Sequence, residues 1–325
     1  MADSGEEYIS LEKSVGDRYD MDAWHNGNEL VDAIAGKKKE GQKILVVINA
    51  PGPINVPWKD NVDAILFSGM GGAESGNGLV DVLFGDLNPS GHLTYVWGEK
   101  DDYPAQIDIY SNPGAYNYNE GVFVGQRYFD ANGYTPIWPF GFGLSYTTFT
   151  FSDLSLSMNK RGLYATFKVT NNGNYDGDVV PMLFLKFPDE INKYCEDGEY
   201  PSKLFKGFEK KFLKKGRTES ITIFVDDHSL SYYNIYKEEF VRPQDGTFTV
   251  YIGTNALDNQ LIETIDADFG KIRANEVMKK LNNEEKFNLL FGVYNLVNMR
   301  NETKKVCVGM IESITASPWT CPTAC

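Results

Sequence analysis

A parallel α/β layer, incomplete at its N-terminus and followed by an all-β sandwich and a partly helical tail, is the fold class this sequence predicts. Three observations predict it. Two apolar, β-branched runs, Ile44-Leu45-Val46-Val47-Ile48 and Ala64-Ile65-Leu66-Phe67, alternate with helical periodicity in the first 145 residues, which is the order of a sheet layered with helices. Beyond Phe149 the pattern changes to short alternating strands separated by turn clusters, the spacing of a β-sandwich. The length of 325 residues fits two domains and a tail, at roughly 150 residues per domain.

Taken in order, the first predicted element is a helix from Trp24 to Ala35, with Leu30, Val31 and Ile34 on one face and Gly36 as its stop. The run from Ile44 ends at Ala50-Pro51-Gly52-Pro53 and reads as a strand buried on both faces and closed by a turn. The second run ends at Ser68-Gly69-Met70-Gly71-Gly72. A helix through Leu79, Val80, Leu83 and Phe84 follows, stopped at Gly85. Leu93-Thr94-Tyr95-Val96-Trp97 completes the alternation as a further strand. An α/β module normally opens with a strand and none is visible before Trp24, so the layer is expected to be incomplete. Residues 101–120, rich in Tyr, Asn, Asp and Pro, read as a long surface loop.

In the second half, strands are expected at 163–170, 179–187, 204–213, 219–225 and 247–252. The first stops at Asn171-Asn172-Gly173. The cluster Lys210, Lys211, Lys214, Lys215 and Arg217 falls on a strand edge and turn, where solvated charge deters edge-to-edge aggregation. Helical spacing returns from Lys271 through Val277, Met278 and Leu281, then Phe287, Leu290 and Phe291 to Gly292. These boundaries give domains at 1–145 and 146–270 and a tail at 271–325.

Lysine and arginine total 31 against 45 aspartates and glutamates, a formal net charge of −14. Nucleic-acid binding needs a basic stripe to neutralise phosphate, and no such partner is expected. The first 145 residues are the more acidic part, which suits neutral or cationic ligands better than anions. No run approaches the ~20 apolar residues that span a bilayer, so no membrane partner is expected. Met1-Ala2-Asp3-Ser4-Gly5-Glu6-Glu7 has neither the basic start nor the apolar stretch of a signal peptide, and the chain as written is expected to carry no export signal. Cys195, Cys307, Cys321 and Cys325 lack metal-type spacing, and His25, His92 and His228 are scattered singly. No metal or organic cofactor is expected. Cys195, in the polar stretch Tyr194-Cys195-Glu196-Asp197-Gly198, is expected to stay outside any set of core disulfides.

The glycine-rich stretch Gly69-Met70-Gly71-Gly72-Ala73-Glu74-Ser75-Gly76 sits between a strand and a helix, where a phosphate cradle would sit. It fails as a dinucleotide fingerprint because Glu74 stands where the third glycine is required, and its charge suits the helix dipole instead. No G-x-S-x-G elbow is present. Carboxylates are the remaining chemistry, since glycoside hydrolysis needs one acid to protonate the leaving oxygen and a second group to attack or to activate water. Among 45 acids, composition alone selects neither.

Motifs make the selection. Ala2-Asp3-Ser4-Gly5-Glu6-Glu7-Tyr8-Ile9, Gly16-Asp17-Arg18, Trp24-His25-Asn26-Gly27 and Gly72-Ala73-Glu74-Ser75-Gly76-Asn77 form the first group. Asp81 to Gly91 (DVLFGDLNPSG), Gly125-Gln126-Arg127-Tyr128-Phe129-Asp130 and Pro139 to Thr147 (PFGFGLSYT) complete the set. Together they resemble family 3 glycoside hydrolases of the fungal β-glucosidase type, specifically between residues 2 and 147 and more loosely to about 269. The resemblance implies an α/β sandwich domain, incomplete at its N-terminus, followed by a fibronectin type III-like domain. In that family a catalytic barrel precedes both, and it is expected to be absent from this chain. The tail, from Leu281 to Gly292 with Cys307-Val308-Gly309, resembles the opening of that barrel, as a permuted, tandem or chimeric gene would leave it.

The family mechanism is retaining, with a barrel aspartate as nucleophile and a glutamate of the α/β domain as acid/base. Carried across by motif, that glutamate is Glu6, with adjacent Glu7 as the alternative. Ser4-Gly5 would let the backbone turn tightly and present it. Tyr8 is expected to line the leaving-group side and Arg18 to pair with an acid of the same loop, with ordinary packing as the alternative for both. The implied substrate is a β-glucoside oligosaccharide and the implied partner is the barrel, in cis or from a longer gene product. Relatives of this type are often exported, and Asn301-Glu302-Thr303 is a glycosylation sequon, so the parent protein is expected to be extracellular. A noncatalytic carbohydrate- or partner-binding module is the rival reading, and an inert truncation product a third.

Overall fold

The computed structural model describes residues 21–104, 120–195 and 198–267. The tail expected from Lys271 and most of the loop expected at 101–120 lie outside these residues.

Helix α1 (Gly27–Ala35) starts three residues later than its apolar periodicity suggests. His25 and Asn26 take left-handed backbone angles, φ 53° and 56°, so the chain turns sharply before the helix can begin. Strand β1 (Leu45–Ile48) pairs in parallel with β2 (Ala64–Phe67), from Leu45↔Ala64 to Ile48↔Phe67. The expectation of burial on both faces needs correction. Among the described residues only Ile48 of β1 is buried, and Leu45 is 46% exposed. Helix α2 (Ser75–Phe84) ends where predicted, because Gly85 adopts the left-handed φ of 84° that closes a helix. Leu30, Ile34, Val80 and Phe84 remain exposed on the two helices.

The segment 93–97 does not join β1 and β2 as a third parallel strand. It crosses 138–142 in antiparallel fashion. Leu93 N donates to Phe142 O at 2.9 Å and Gly141 N to Leu93 O at 2.8 Å, while Trp97 and Trp138 exchange bonds of 2.8 and 3.0 Å. Aromatic packing decides the partner. Trp97 is fully buried, edge-on to Trp138 at 5.1 Å and to Phe67 at 5.4 Å, and it joins Ile48, Ala50, Ile54, Val56 and Trp58 in the core of this half. The short helix α3 (Gln126–Asn132), unanticipated by periodicity, packs the buried Phe129.

The second half is a sandwich of short strands: β3 (Phe149–Asn159), β4 (Gly162–Asn171), β5 (Gly177–Val179), β6 (Met182–Lys186), β7 (Leu204–Phe208), β8 (Lys211–Leu213), β9 (Thr218–Asp226), β10 (Tyr232–Asn234), β11 (Glu239–Val241), β12 (Thr247–Gly253) and β13 (Leu261–Asp266). One sheet runs β3-β4-β9 and the facing one β13-β12-β6-β7, with β5-β8 and β10-β11 as two-stranded ladders. Alternation fixes which residues face inward. Leu163, Ala165, Phe167 and Val169 of β4 meet Leu183 and Leu185 of β6 and Phe248, Val250 and Ile252 of β12, and a one-residue slip would turn each set outward. Strand β6 is buried on its outer face as well, through Met182 and Phe184.

Cys195 does not lie in a polar loop. It closes a turn of 3₁₀ helix, its side chain belongs to the sandwich core, and it is a free thiol that burial pushes up in pKa. The basic cluster sits on β8 and the turn after it, as the sequence implied. Lys210 Nζ bonds Ser90 Oγ at 2.9 Å, and Lys215 Nζ bonds Asn174 Oδ1 at 3.0 Å.

Candidate functional site

Glu6, Glu7, Tyr8 and Arg18, the residues that the sequence nominates for catalysis and substrate contact, lie outside the described residues. What is described is the place to which their segment leads. Met21 O accepts the Asn55 amide at 2.6 Å, and Asp22 Oδ1 accepts Asn55 Nδ2 at 2.7 Å and Asn28 Nδ2 at 3.2 Å. Asn28 in turn holds the indole nitrogen of the buried Trp58 at 2.9 Å. The chain therefore enters this half already clamped to its core, at the Trp24-His25-Asn26-Gly27 turn.

Three of the motifs come together, and what they build is a junction between the two halves. Asn88 Oδ1 accepts the Tyr146 amide at 2.7 Å, and Asn88 Nδ2 lies 2.9 Å from Ser145 Oγ. Tyr146 Oη returns to Val82 O at 2.7 Å. Gln126 Oε1 accepts the Phe140 amide at 3.0 Å while its Nε2 donates to Asp130 at 2.8 Å. Phe140 then packs on the outer face of β6 and β7, with ring centroids 6.2 Å from Phe184 and 5.1 Å from Phe205. The two glycines between them have separate reasons. Gly141 adopts φ 84°, and a Cβ on Gly143 would stand 2.3 Å from Gly91 O. Sequence reasoning saw these motifs but not that Asn88 and Gln126 bind backbone rather than ligand. Their side chains, each offering donor and acceptor together, were the available signal.

The glycine-rich stretch does join β2 to α2, but Glu74 there is held by Asn77 Nδ2 at 2.5 Å, an intrahelical contact that leaves no anion cradle. His92 is half-buried, with its Nδ1 2.5 Å from Gly141 O, and desolvation lowers its pKa against the opposing hydrogen bonds to backbone. Asp63 accepts from Lys38 Nζ at 2.6 Å, Lys43 Nζ at 2.9 Å and the Ile44 amide at 2.8 Å, which holds its carboxyl well below the usual range. These bonds fasten the approach to β1. Among the described residues no cluster of His, Cys, Asp or Glu has the arrangement to hold a metal, and no helix is long and apolar enough to cross a membrane.

Comparison with known proteins places this architecture. Residues 1–146 match the glycosyl hydrolase family 3 C-terminal domain, and residues 179–256 match the fibronectin type III-like domain. The chain is 38% identical over 280 residues to a probable beta-glucosidase L of Aspergillus fumigatus, an alignment covering 79% of this chain and 36% of that protein. A beta-D-glucoside glucohydrolase from Trichoderma reesei superposes with a TM-score of 0.72 at 32% identity, covering 81% of this chain and 38% of the other. Beta-glucosidase D2-BGL from Chaetomella raphigera gives 0.72 at 34% identity, covering 82% and 39%. The chain thus spans little more than a third of the length of the relatives it matches. With a clamped α/β layer, a motif-built junction and a β-sandwich in the same order as theirs, the chain belongs to glycoside hydrolase family 3, of which it carries the C-terminal α/β domain and the fibronectin type III-like domain.

Proposed function

We propose that this chain supplies the acid/base half of a retaining β-glucosidase active site, acting on terminal β-linked glucose of short oligosaccharides without a cofactor. The observation that carries the reading is the match of residues 1–146 to the family's C-terminal domain, among relatives named as β-glucosidases. Glu6 protonates the leaving oxygen and later activates water, with Glu7 as the alternative; Tyr8 lines the leaving-group side and Arg18 pairs with an acid of the loop. The nucleophile comes from a barrel domain in cis or on a separate polypeptide. Exposed Leu30, Ile34, Val80 and Phe84 support the same reading, because they leave the α/β half with apolar surface that a further domain would cover.

A retaining enzyme sets its two carboxyl groups ~5–5.5 Å apart, and no glycosyl-enzyme forms with one of them. General acid catalysis alone contributes roughly 10²–10⁴-fold, small beside the ~10⁶-fold or more of an enzyme. The chain alone is therefore expected to turn over no aryl β-glucoside above background, with activity appearing when a family barrel polypeptide is added. Glu6→Gln abolishes the restored activity in this reading, and Glu7→Gln causes the lesser loss. The noncatalytic-module reading is favoured by the junction itself, since the family-like motifs join the halves through Tyr146 and Phe140. It predicts sugar binding without turnover even when the barrel is present.

A further inference from the structure

Beside the junction, the two halves enclose a cleft of about 950 Å³. Aromatic rings line it from both sides, with Tyr103 and Phe140 from the first half and Phe205 and Phe240 from the second. Into the same cleft face Arg127 of α3, Lys203 and Lys206 at β7, and His228, against a single carboxylate, Asp130. A chain of net charge −14 thus keeps a locally positive cleft, opposite in sign to what its acidic first half suggested.

The cations differ in how they are satisfied. Lys203 donates to Ala256 O and to Asn259 Oδ1 and lies over the Phe184 and Tyr251 rings. Asp130 is taken by Gln126. Arg127 and Lys206 have no such acceptor. Among the described residues neither forms an ion pair or donates a hydrogen bond, and Lys206 has only the Phe187 ring 5.1 Å from its Nζ. Desolvation lowers the Lys206 pKa to about 8, and the Arg127 charge adds to that shift against the opposing pull of Asp226. Asp226 offsets only part of the desolvation of Lys206, so two like charges from different domains in a half-desolvated space are relieved further when a second anion joins them.

We propose that the cleft is a binding site for a small acidic sugar, a uronate in the first instance, whose carboxylate bridges Arg127 and Lys206 while its apolar ring faces lie on the aromatic walls. The guanidinium offers a planar two-donor fork that matches a carboxylate, and the ammonium offers a point charge. Ser229 and Ser231, which also line the cleft, supply polar groups for hydroxyls, the mixed lining typical of small-molecule sites. This site is independent of the glucosidase reading, and its test measures binding alone.

The experiment is calorimetric titration of the full chain with glucuronate, glucose and inorganic phosphate. Glucuronate is expected to bind at least tenfold more tightly than either of the others. Arg127→Gln and Lys206→Met should each weaken it tenfold or more, and Arg127→Lys less, at unchanged melting temperature. The two positions lie on different elements, so should one variant fail to fold the other still decides. Equal binding of phosphate and glucuronate would mean an adventitious ion only and would overturn the proposal, as would equal binding of glucose. Absence of glucuronate binding, with variants that melt at lower temperature, would show instead that the two cations pair with a carboxylate of the chain itself, and would overturn it too.

Discussion

Asn171 makes as full a set of hydrogen bonds as any side chain in the described residues. Fully buried at the end of β4, it donates to Tyr175 O at 2.8 Å and Leu213 O at 3.0 Å, and accepts from Thr147 Oγ1 at 2.7 Å and Gly173 N at 3.2 Å. Asn171→Ala strands the buried Leu213 carbonyl and the Thr147 hydroxyl and frees the Tyr175 carbonyl and Gly173 amide, and is expected to lower stability by about 2–4 kcal/mol in urea unfolding; a loss within ~0.5 kcal/mol would contradict this role. Lys206 offers a second test. Its folded pKa of about 8 lies below the ordinary lysine value because of burial, with Asp226 opposing that shift and Arg127 adding to it. Its charged form is therefore the one that folding disfavours, and stability should rise as pH climbs from about 8 towards the unfolded value. Competitive acylation should find Lys206 half-reactive near pH 8, and a midpoint above 10 would refute the desolvation. In the sequence, Asn171 was legible only as a strand stop, because its partners come from residues up to 42 positions away.

Elements whose signal is local were legible. Helix α2 and its Gly85 stop, the paired runs β1 and β2, and the inward alternation of β4, β9 and β12 all follow from period and punctuation. Elements decided by distant partners were not. Residues 93–97 carry a strand's composition, yet Trp97 pairs with Trp138, forty-one residues on, because indole packing outweighs proximity in sequence. Strands β10, β11 and β13, with exposed positions such as Tyr233, Phe240 and Ile262, break the in-out pattern that a reader relies on. The junction motifs were visible as motifs while their purpose was not. That purpose is testable: Asn88→Ala with Gln126→Ala removes the polar contacts that hold Ser145, Tyr146 and Phe140. The double variant is expected to split unfolding into two calorimetric transitions where the parent chain shows closer coupling; an unchanged single transition would place the coupling elsewhere.

At the scale of the whole molecule the two halves are unequal. Among the described residues the main core cluster of the sandwich holds twenty-one buried side chains and that of the α/β half six, and the latter half also exposes apolar residues along α1 and α2. Cooperative opening should begin where fewer apolar groups are buried, so limited proteolysis is expected to clear residues up to Ser145 first and leave a sandwich fragment. A surviving fragment from Met1 to Ser145 would reverse that order. The candidate catalytic residues Glu6 and Glu7, which lie outside the described residues, are nominated by motif alone, because a carboxylate's chemistry depends on neighbours that local sequence does not specify.

In the proposed function Glu6 is one of two carboxyl groups, and the other is supplied by a barrel domain in cis or on a separate polypeptide. Release of aryl alcohol from a β-glucoside, measured for the 325-residue chain with and without a family barrel polypeptide, tests it most directly. Background rates are expected for the chain alone, restored turnover on mixing, and loss of that turnover in Glu6→Gln. Robust hydrolysis by the purified chain alone, or restored turnover that survives Glu6→Gln, would contradict it.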